Sequence, residues 1–512
     1  MLRGILTVGV WTMGSRVLGF LRDMLMAALI GAGPLGDAFF VANRLPNMFR
    51  SLFGEGAFNA AFVPSFSAIL SADGRDAARR FAEESFGVMA FWLLGLTVLA
   101  ELAMEPVVAL LQLGADDPAH LDLVVSLARV TFPYMPLICL TALLSGVLNG
   151  LDRFAAAAAA PVLYNITSMA FMVAASSAIG PAQAAAWGVS ASGVLQLALV
   201  AWGIWHSGMA LHLVRPRLSP EIRTLLRKMA PGLLAAGVTQ LNLSLDVVIS
   251  SFLPTGAQSA LYFANRLNQL PLGIIGTAIG TGMLPSLSRQ VQAGQDAQSV
   301  TTLNRALEYA MVLTLPAALA LVCVPVSLMT VLFERGAFTH HAAILAGETL
   351  QAYALGLPAF VLIKVLVPAL FARADTATPM RWGMASVALN VALNLAFMIP
   401  LQHRGPAMAA SLSAWANVAA LAMVLHHRRF LVPDSLLLRR IPRMAAASVA
   451  MAGALMALHT VVFVPLEAGQ VTRWIGLGAL VGGGLCAYGL AGQGLGAFDL
   501  RTLLGSLRRR RS

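Results

Sequence analysis

The sequence predicts an all-α polytopic membrane protein, and three observations carry that prediction. The chain is 58% hydrophobic and only 11% charged, whereas soluble domains carry about 25% charged residues. Its mean hydropathy is +0.77. Apolar runs of the length that crosses a hydrocarbon core recur from one end to the other. A β-barrel would instead alternate apolar and polar residues with period two, which these runs do not do.

Taken in order, the runs give about 14 spans: 5–31, 36–70, 86–113, 121–150, 157–180, 184–212, 224–253, 258–290, 303–333, 343–372, 379–400, 405–427, 442–465 and 472–492. The first begins like a signal peptide, but Arg16, Arg22 and Asp23 arrive where cleavage would fall, so it reads as a retained helix. Spans two and eight are too long for one straight helix. Pro46 or the nearby glycines can bend the former, and Pro271 the latter.

The loops test this count through their basic residues. Arg75, Arg79 and Arg80 occupy the loop at 71–85, Arg153 follows the fourth span, and Arg215, Arg217, Arg223, Arg227 and Lys228 surround 213–223. Later loops of the same parity hold Arg289 and Arg305, then Arg373 and Arg381, then Arg428, Arg429, Arg439, Arg440 and Arg443. The opposite loops offer only Arg335, Arg404 and Arg473. This alternation predicts cytoplasmic termini and an even number of spans. It also accounts for the net charge of +11 without nucleic acid as a partner. The tail Arg508–Arg511 reads as a topology anchor or as a site for anionic headgroups. Cys139, Cys323 and Cys486 all lie in apolar segments, so neither a disulfide framework nor a zinc site is indicated.

An internal repeat organises the spans. "ANRL" at 42–45 returns at 264–267, Ala38 matches Ala260, and after one gap Pro64-Ser65 matches Pro285-Ser286. The copies begin six spans apart. That predicts two parallel six-helix lobes plus two C-terminal helices, divided as 1–214, 215–430 and 431–512.

The copies differ in charge. Arg44 keeps Arg266 as its counterpart, but Asp37 becomes Ser259, Arg50 becomes Leu272 and Glu55 becomes Thr277. Loss of the set from one copy points to a task belonging to the other. At roughly 100° per residue, Asp37, Arg44 and Glu55 share a helix face and Arg50 lies off it. An unpaired charge in lipid costs at least about 2.5–3.5 kcal/mol, so these groups must face a bundle interior or water. Arg16, Arg22, Arg44 and Arg50, with Arg266 from the second copy, present guanidinium forks suited to phosphate. The reading is an anionic substrate, a phosphate or diphosphate. The competing reading is internal pairing of Arg44 with Asp37, Arg22 with Asp23 and Arg50 with Glu55.

"SRVLGFLRD" (15–23), "DAFFVANRLPNMFR" (37–50), "EGAFNAAFVP" (55–64) and "FERGAF" (333–338) together resemble the MurJ, or MviN, family of lipid II flippases in the MOP exporter superfamily. The resemblance implies a V-shaped bundle with alternating access in the bacterial inner membrane. It implies movement of lipid II, the undecaprenyl-diphosphate-linked peptidoglycan precursor, from the cytoplasmic to the periplasmic leaflet. By matched position it implies cavity charges at Arg16, Arg22, Asp37, Arg50, Glu55 and Arg266. It implies a groove for the lipid tail in the last two spans. Ser51 stands where many members have a second arginine, and Asn265 where an acidic residue commonly precedes the matched arginine. Some members hold sodium, for which Asp246, Asn390 and Asn394 are the matching residues; the alternative is a buried hydrogen-bonded cluster. No organic cofactor is expected, and coupling falls to Na+, H+ or the membrane potential. The partners expected are lipid II and membrane lipids, with the chain a monomer.

Lys364, in "FVLIKVLVPALF", has no obvious role. "NIT" at 165–167 fits a glycosylation pattern but lies within a span, and Gly276 and Gly280 form a GxxxG suited to helix packing. The sequence has no HExxH, GxSxG or P-loop, so a lipid-phosphate enzyme is disfavoured. A drug or cation exporter of the same superfamily would favour acidic cavities, which the arginines argue against. A scaffold that moves nothing would need no cavity charges.

Overall fold

A computed structural model of the chain describes residues 2–51, 57–466 and 469–498, and all regular secondary structure among them is helical. By packing, the chain divides into two compact units. The first comprises residues 1–259 with 335–339, and the second 260–334 with 340–512.

The first unit contains α1 (Leu2–Ile30), α2 (Pro34–Arg50), α3 (Ala57–Ala72), α4 (Gly74–Leu102), α5 (Met104–Leu111), α6 (Pro118–Thr131), α7 (Tyr134–Gly150), α8 (Ala155–Ile179), α9 (Pro181–His206) and α10 (Pro220–Ser250). Local chemistry sets many of these ends. Proline, whose missing N–H costs nothing in a first turn, opens α2, α6, α9 and α10. Asp117 and Ser219 cap α6 and α10 by accepting from Ala119 N and Ile222 N.

Small residues let the helices approach closely. A side chain at Gly188 of α9 would come within 3.2 Å of Ser168 on α8, and one at Gly193 within 2.8 Å of Tyr134 on α7. Phe58, Phe62 and Phe66 of α3 stack along one another and on Phe81 of α4, at centroid distances of 5.1–5.9 Å. They form a core that α7 and α10 complete. The repeat places α10 in the second copy, whereas by packing it lies on α3; shared ancestry and shared contacts need not draw the same boundary.

The stretch 335–339 explains the "FERGAF" motif. Ala337 N donates to Ala28 O near the end of α1 at 2.8 Å. Gly336, at φ +58°, would bring a Cβ within 2.3 Å of that same oxygen, so the turn admits only glycine.

The second unit holds most of α11 (Ala257–Gln292), then α12 (Asp296–Cys323), α13 (Pro325–Phe333), α14 (His340–Phe371), α15 (Ala377–Phe397), α16 (Gly405–His427), α17 (Ser435–Leu458), α18 (Val464–Leu466) and α19 (Gln470–Gly494). A short π-helical stretch, His459–Phe463, links α17 to α18. α17 packs on α12 and α19, and the Tyr488 hydroxyl of α19 donates to Val312 O at 2.7 Å. Glu308, 2% exposed, is clamped by Arg305 and Arg440, and Arg305 also binds Asp434, the residue that caps α17. A buried carboxylate needs such partners, because an unpaired charge in a low dielectric is costly.

Among the described residues, nine helical stretches are long and apolar enough to cross a membrane. They fall on nine of the expected spans. The expected spans at 5–31, 36–70, 224–253, 258–290 and 379–400 are not among them. Of the second expected span, α2 covers Pro34–Arg50 and α3 covers Ala57–Ala72; Glu55, assigned to one face with Asp37 and Arg44, lies outside the described residues. The eighth is one helix, running unbroken over Pro271 and Pro285.

Candidate functional site

Four helices of the first unit bring the candidate residues together. α1 lies along α8, tied by Asn165, whose Nδ2 donates to Ser15 O at 3.1 Å and to Pro161 O at 3.0 Å. That buried role accounts for the asparagine of "NIT". The tie sets Arg22 of α1 beside Tyr164 of α8. The Arg22 guanidinium lies 5.0 Å from the Tyr164 ring centre and pairs with the buried Asp23 at 2.8 Å. Tyr164 packs at 5.6 Å from Tyr134, which opens α7.

Arg50, on α2, places its charge near α7. Both Arg22 and Arg50 act electrostatically on the Tyr134 phenol, and Arg50 also acts on the Cys139 thiol further along α7. Arg50 is held by a chain along its own helix: its Nε donates to Asn47 Oδ1 at 3.1 Å, and Asn47 Nδ2 donates to Asn43 O at 2.8 Å. Two guanidiniums from separate helices thus both act on Tyr134, and Arg22 is paired with Asp23. An arrangement of this kind can bind an anion with several acceptor oxygens.

Asp37 lies elsewhere. It is about 20 Å from Arg50 along α2. It accepts from Gly256 N at 2.6 Å, Ser259 N at 2.8 Å and Ser259 Oγ at 2.6 Å. A carboxylate there satisfies orphan N–H groups at the start of α11 and favours that end of its dipole. Gly36 makes room, since a Cβ on it would come to 2.6 Å from Ser259 Oγ.

The remaining expected residues are spread more widely. Arg16 is exposed, about 9 Å along α1 from Arg22. Arg44 is half-buried in mid-α2, and Arg266 is half-buried on α11 in the second unit. Glu55 lies outside the described residues. Of the sodium candidates, Asp246 stands on α10 in the first unit, and Asn390 and Asn394 on α15 in the second. The asparagines bond to one another at 3.1 Å, and Asn390 Nδ2 contacts Ser413 Oγ at 3.5 Å. Among the described residues no three His, Cys, Asp or Glu side chains cluster. Lys364 is half-buried, with its stem laid over Gly276; a Cβ there would come to 2.6 Å from Lys364 Cδ.

Sequence reasoning missed Tyr134, Tyr164, Glu308 and Asp434. The chain has only six tyrosines, and two meeting at one pair of arginines is the one compositional hint. The acidic residues lie beside loops already read as basic, where their partners were visible and the pairing was not.

The profile of the family described as lipid II flippase MurJ matches residues 26–471. A Rhizobium tropici protein described as a probable lipid II flippase MurJ is 40% identical over 519 residues, covering 100% of this chain and 97% of its own length. The lipid II flippase MurJ of Burkholderia cenocepacia is 33% identical over 457 residues, covering 88% of this chain and 89% of its own. A lipid II flippase MurJ solved in an inward closed conformation shares the fold with a TM-score of 0.78, at 23% identity, over 94% of this chain and 97% of that one. An inward-facing multidrug resistance MATE transporter of the MOP superfamily shares it more distantly, with a TM-score of 0.67 at 14% identity over 81% and 94% of the two chains. Profile and relatives agree across nearly the whole length, and the chain belongs to the MurJ family of lipid II flippases.

Proposed function

We propose that this chain moves lipid II, the undecaprenyl-diphosphate-linked peptidoglycan precursor, from the cytoplasmic to the periplasmic leaflet of the bacterial inner membrane. The observation that carries the reading is a pair of arginines from α1 and α2, Arg22 packed on Tyr164 and both acting on Tyr134, in a chain of this family. A diphosphate offers several charged oxygens, and fixed guanidinium forks bind such a group through paired, charge-assisted hydrogen bonds. Arg16, Arg44 and Arg266 are the further cations proposed for the substrate path, with Asp37 and Glu55 as carboxylates along it. The chain acts as a carrier, alternating access between leaflets, as a monomer of about 14 spans with cytoplasmic termini. α17 and α19 are proposed to take the polyprenyl tail; exposed Val449, Met456, Leu485 and Leu490 give them lipid-compatible surfaces.

Export of a cationic drug is the weaker reading, since MATE transporters resemble this chain only distantly, and in fold. The driving force is proposed to be a Na+ or H+ gradient or the membrane potential, with Asp246, Asn390 and Asn394 as the residues to test for sodium. Replacing Na+ by choline in proteoliposomes, and then collapsing the potential, separates these sources.

Depletion of the protein tests the main reading. Lipid II should then accumulate while becoming inaccessible to a periplasmic probe. Unchanged periplasmic exposure, in cells lacking any second lipid II flippase, would refute it.

A further inference from the structure

A second charged site stands apart from the arginine–tyrosine neighbourhood. The connection from α9 to α10 has no regular structure over 209–219, yet it is fastened to α4. Arg75 Nη2 donates to Ser207 O at 3.2 Å, and His212 N donates to Glu83 Oε1 at 3.0 Å. Gly87 of α4 passes so close to Val214 O that a Cβ would come within 2.5 Å. These ties frame a cavity of about 340 Å³ lined by Arg80, Glu83, Glu84, Val214, Arg215 and Arg217.

The charges in it are not self-neutralising. Glu83 is engaged by Arg79 at 3.0 Å and by His212 N. Arg80, Arg215, Arg217 and Glu84 make no side-chain hydrogen bond or ion pair within the described residues. Three guanidiniums therefore face one unengaged carboxylate around a cavity that remains net cationic.

The position is that of a headgroup layer. Trp202 and Trp205, 56% and 65% exposed, close α9 just before the connection, where indoles mark a membrane interface. On α4 the cavity residues immediately precede the charge-free run 85–100. Leu213 and Leu218, both exposed, flank the two arginines of the connection like side chains set to enter acyl chains. The basic-loop pattern assigns this end to the cytoplasm. Basic pockets beside membrane helices on that side recognise lipid phosphates.

We propose that this cavity is a phosphate-binding site at the cytoplasmic interface, in which Arg80, Arg215 and Arg217 hold a phosphate group and Glu84 accepts from a hydroxyl beside it. The glycerol headgroup of phosphatidylglycerol carries both chemistries; a soluble diphosphate carries the first alone. The proposal does not depend on the flippase reading, and binding rather than transport tests it.

Native mass spectrometry of the full chain from nanodiscs reads the retained ligand directly. One arm offers phosphatidylglycerol in a phosphatidylcholine background, the other inorganic diphosphate in phosphatidylcholine alone. Retention of phosphatidylglycerol should fall about fivefold for each of Arg80→Gln, Arg215→Gln and Arg217→Gln, at about 1 kcal/mol per interfacial charge. Arg153→Gln and Arg439→Gln, which remove equal charge elsewhere, should leave it unchanged. Glu84→Gln should narrow the preference for phosphatidylglycerol over phosphatidic acid. Retention of diphosphate, lost in the same three variants, would support the phosphate site and identify its source as soluble. Equal retention of both probes by the wild type and all three variants would overturn the proposal.

Discussion

α2 and α11 begin as copies and end as different devices. Both carry "ANRL". Arg50 of α2 acts on Tyr134, whereas α11 sets Leu272, the counterpart of Arg50, against an apolar core. Asp37 of α2 is answered by Ser259, and these two repeat-related residues bond to each other. The duplicated element therefore supplies a scaffold, and the ions were kept or gained in one copy. Charge in a membrane helix is costly, and Asp37 and Arg50 of α2 have no charged counterpart in α11, which is why the proposed anion site is sought in the first copy.

Substitutions can break that contrast, beginning with the largest effect. Arg22→Ala and Arg50→Ala should each cost about 2–5 kcal/mol of interaction with the anion, at least about thirtyfold in translocation, with normal protein levels on an immunoblot. Leu272→Arg in the Arg50→Ala background should not restore activity, because α11 offers an apolar setting there.

The second effect belongs to stability. Glu308→Ala should lower stability by about 3–5 kcal/mol, since it strands Arg305 and Arg440 around a lost partner. A thermal melt in detergent reads this. Any residual folded protein should translocate normally, which separates the second unit's charge network from the site in the first. Asp37→Ala follows, with a net loss of about 1.5–3 kcal/mol; Ser259→Ala should cost a fraction of that, as it removes one of three donors.

Tyr164→Leu comes next. Loss of a cation–π contact worth about 0.5–2 kcal/mol should slow translocation a few-fold, and Tyr164→Phe should restore it. The smallest effect is at the surface. The Asp375 carboxyl is held at about 2 by the Thr378 hydroxyl and amide, with Arg428 assisting. Its contribution is present above the unfolded value near ~3.9 and lost as pH falls toward the folded one. Asp375→Asn should therefore flatten the melting temperature's dependence on pH only in that acidic window.

Much of this was legible in the sequence because hydrophobic length and basic loops report directly on membrane helices. The repeat was legible because "ANRL" and Pro-Ser survive in both copies. The unbroken run of α11 was not, since an apolar run with two prolines does not reveal that its helix continues. The role of Asp37 was hidden for a similar reason: its partners lie more than 200 residues away, and two are backbone N–H groups, which any residue type supplies. Arg22 and Arg50 could be named as cations, but their common neighbourhood required Tyr134 and Tyr164, single aromatics without periodicity. Glu308 was invisible because a buried carboxylate in a helix beside a basic loop reads as one more surface charge.

Binding of the diphosphate to the first unit is the most direct test. Affinity for a short-chain lipid II analogue would be measured by native mass spectrometry on the wild type, Arg22→Ala, Arg50→Ala and Arg266→Ala. The account predicts at least tenfold weaker binding for Arg22→Ala and for Arg50→Ala, and a smaller loss for Arg266→Ala. Undiminished binding in both first-unit variants, with binding abolished by Arg266→Ala, would contradict it.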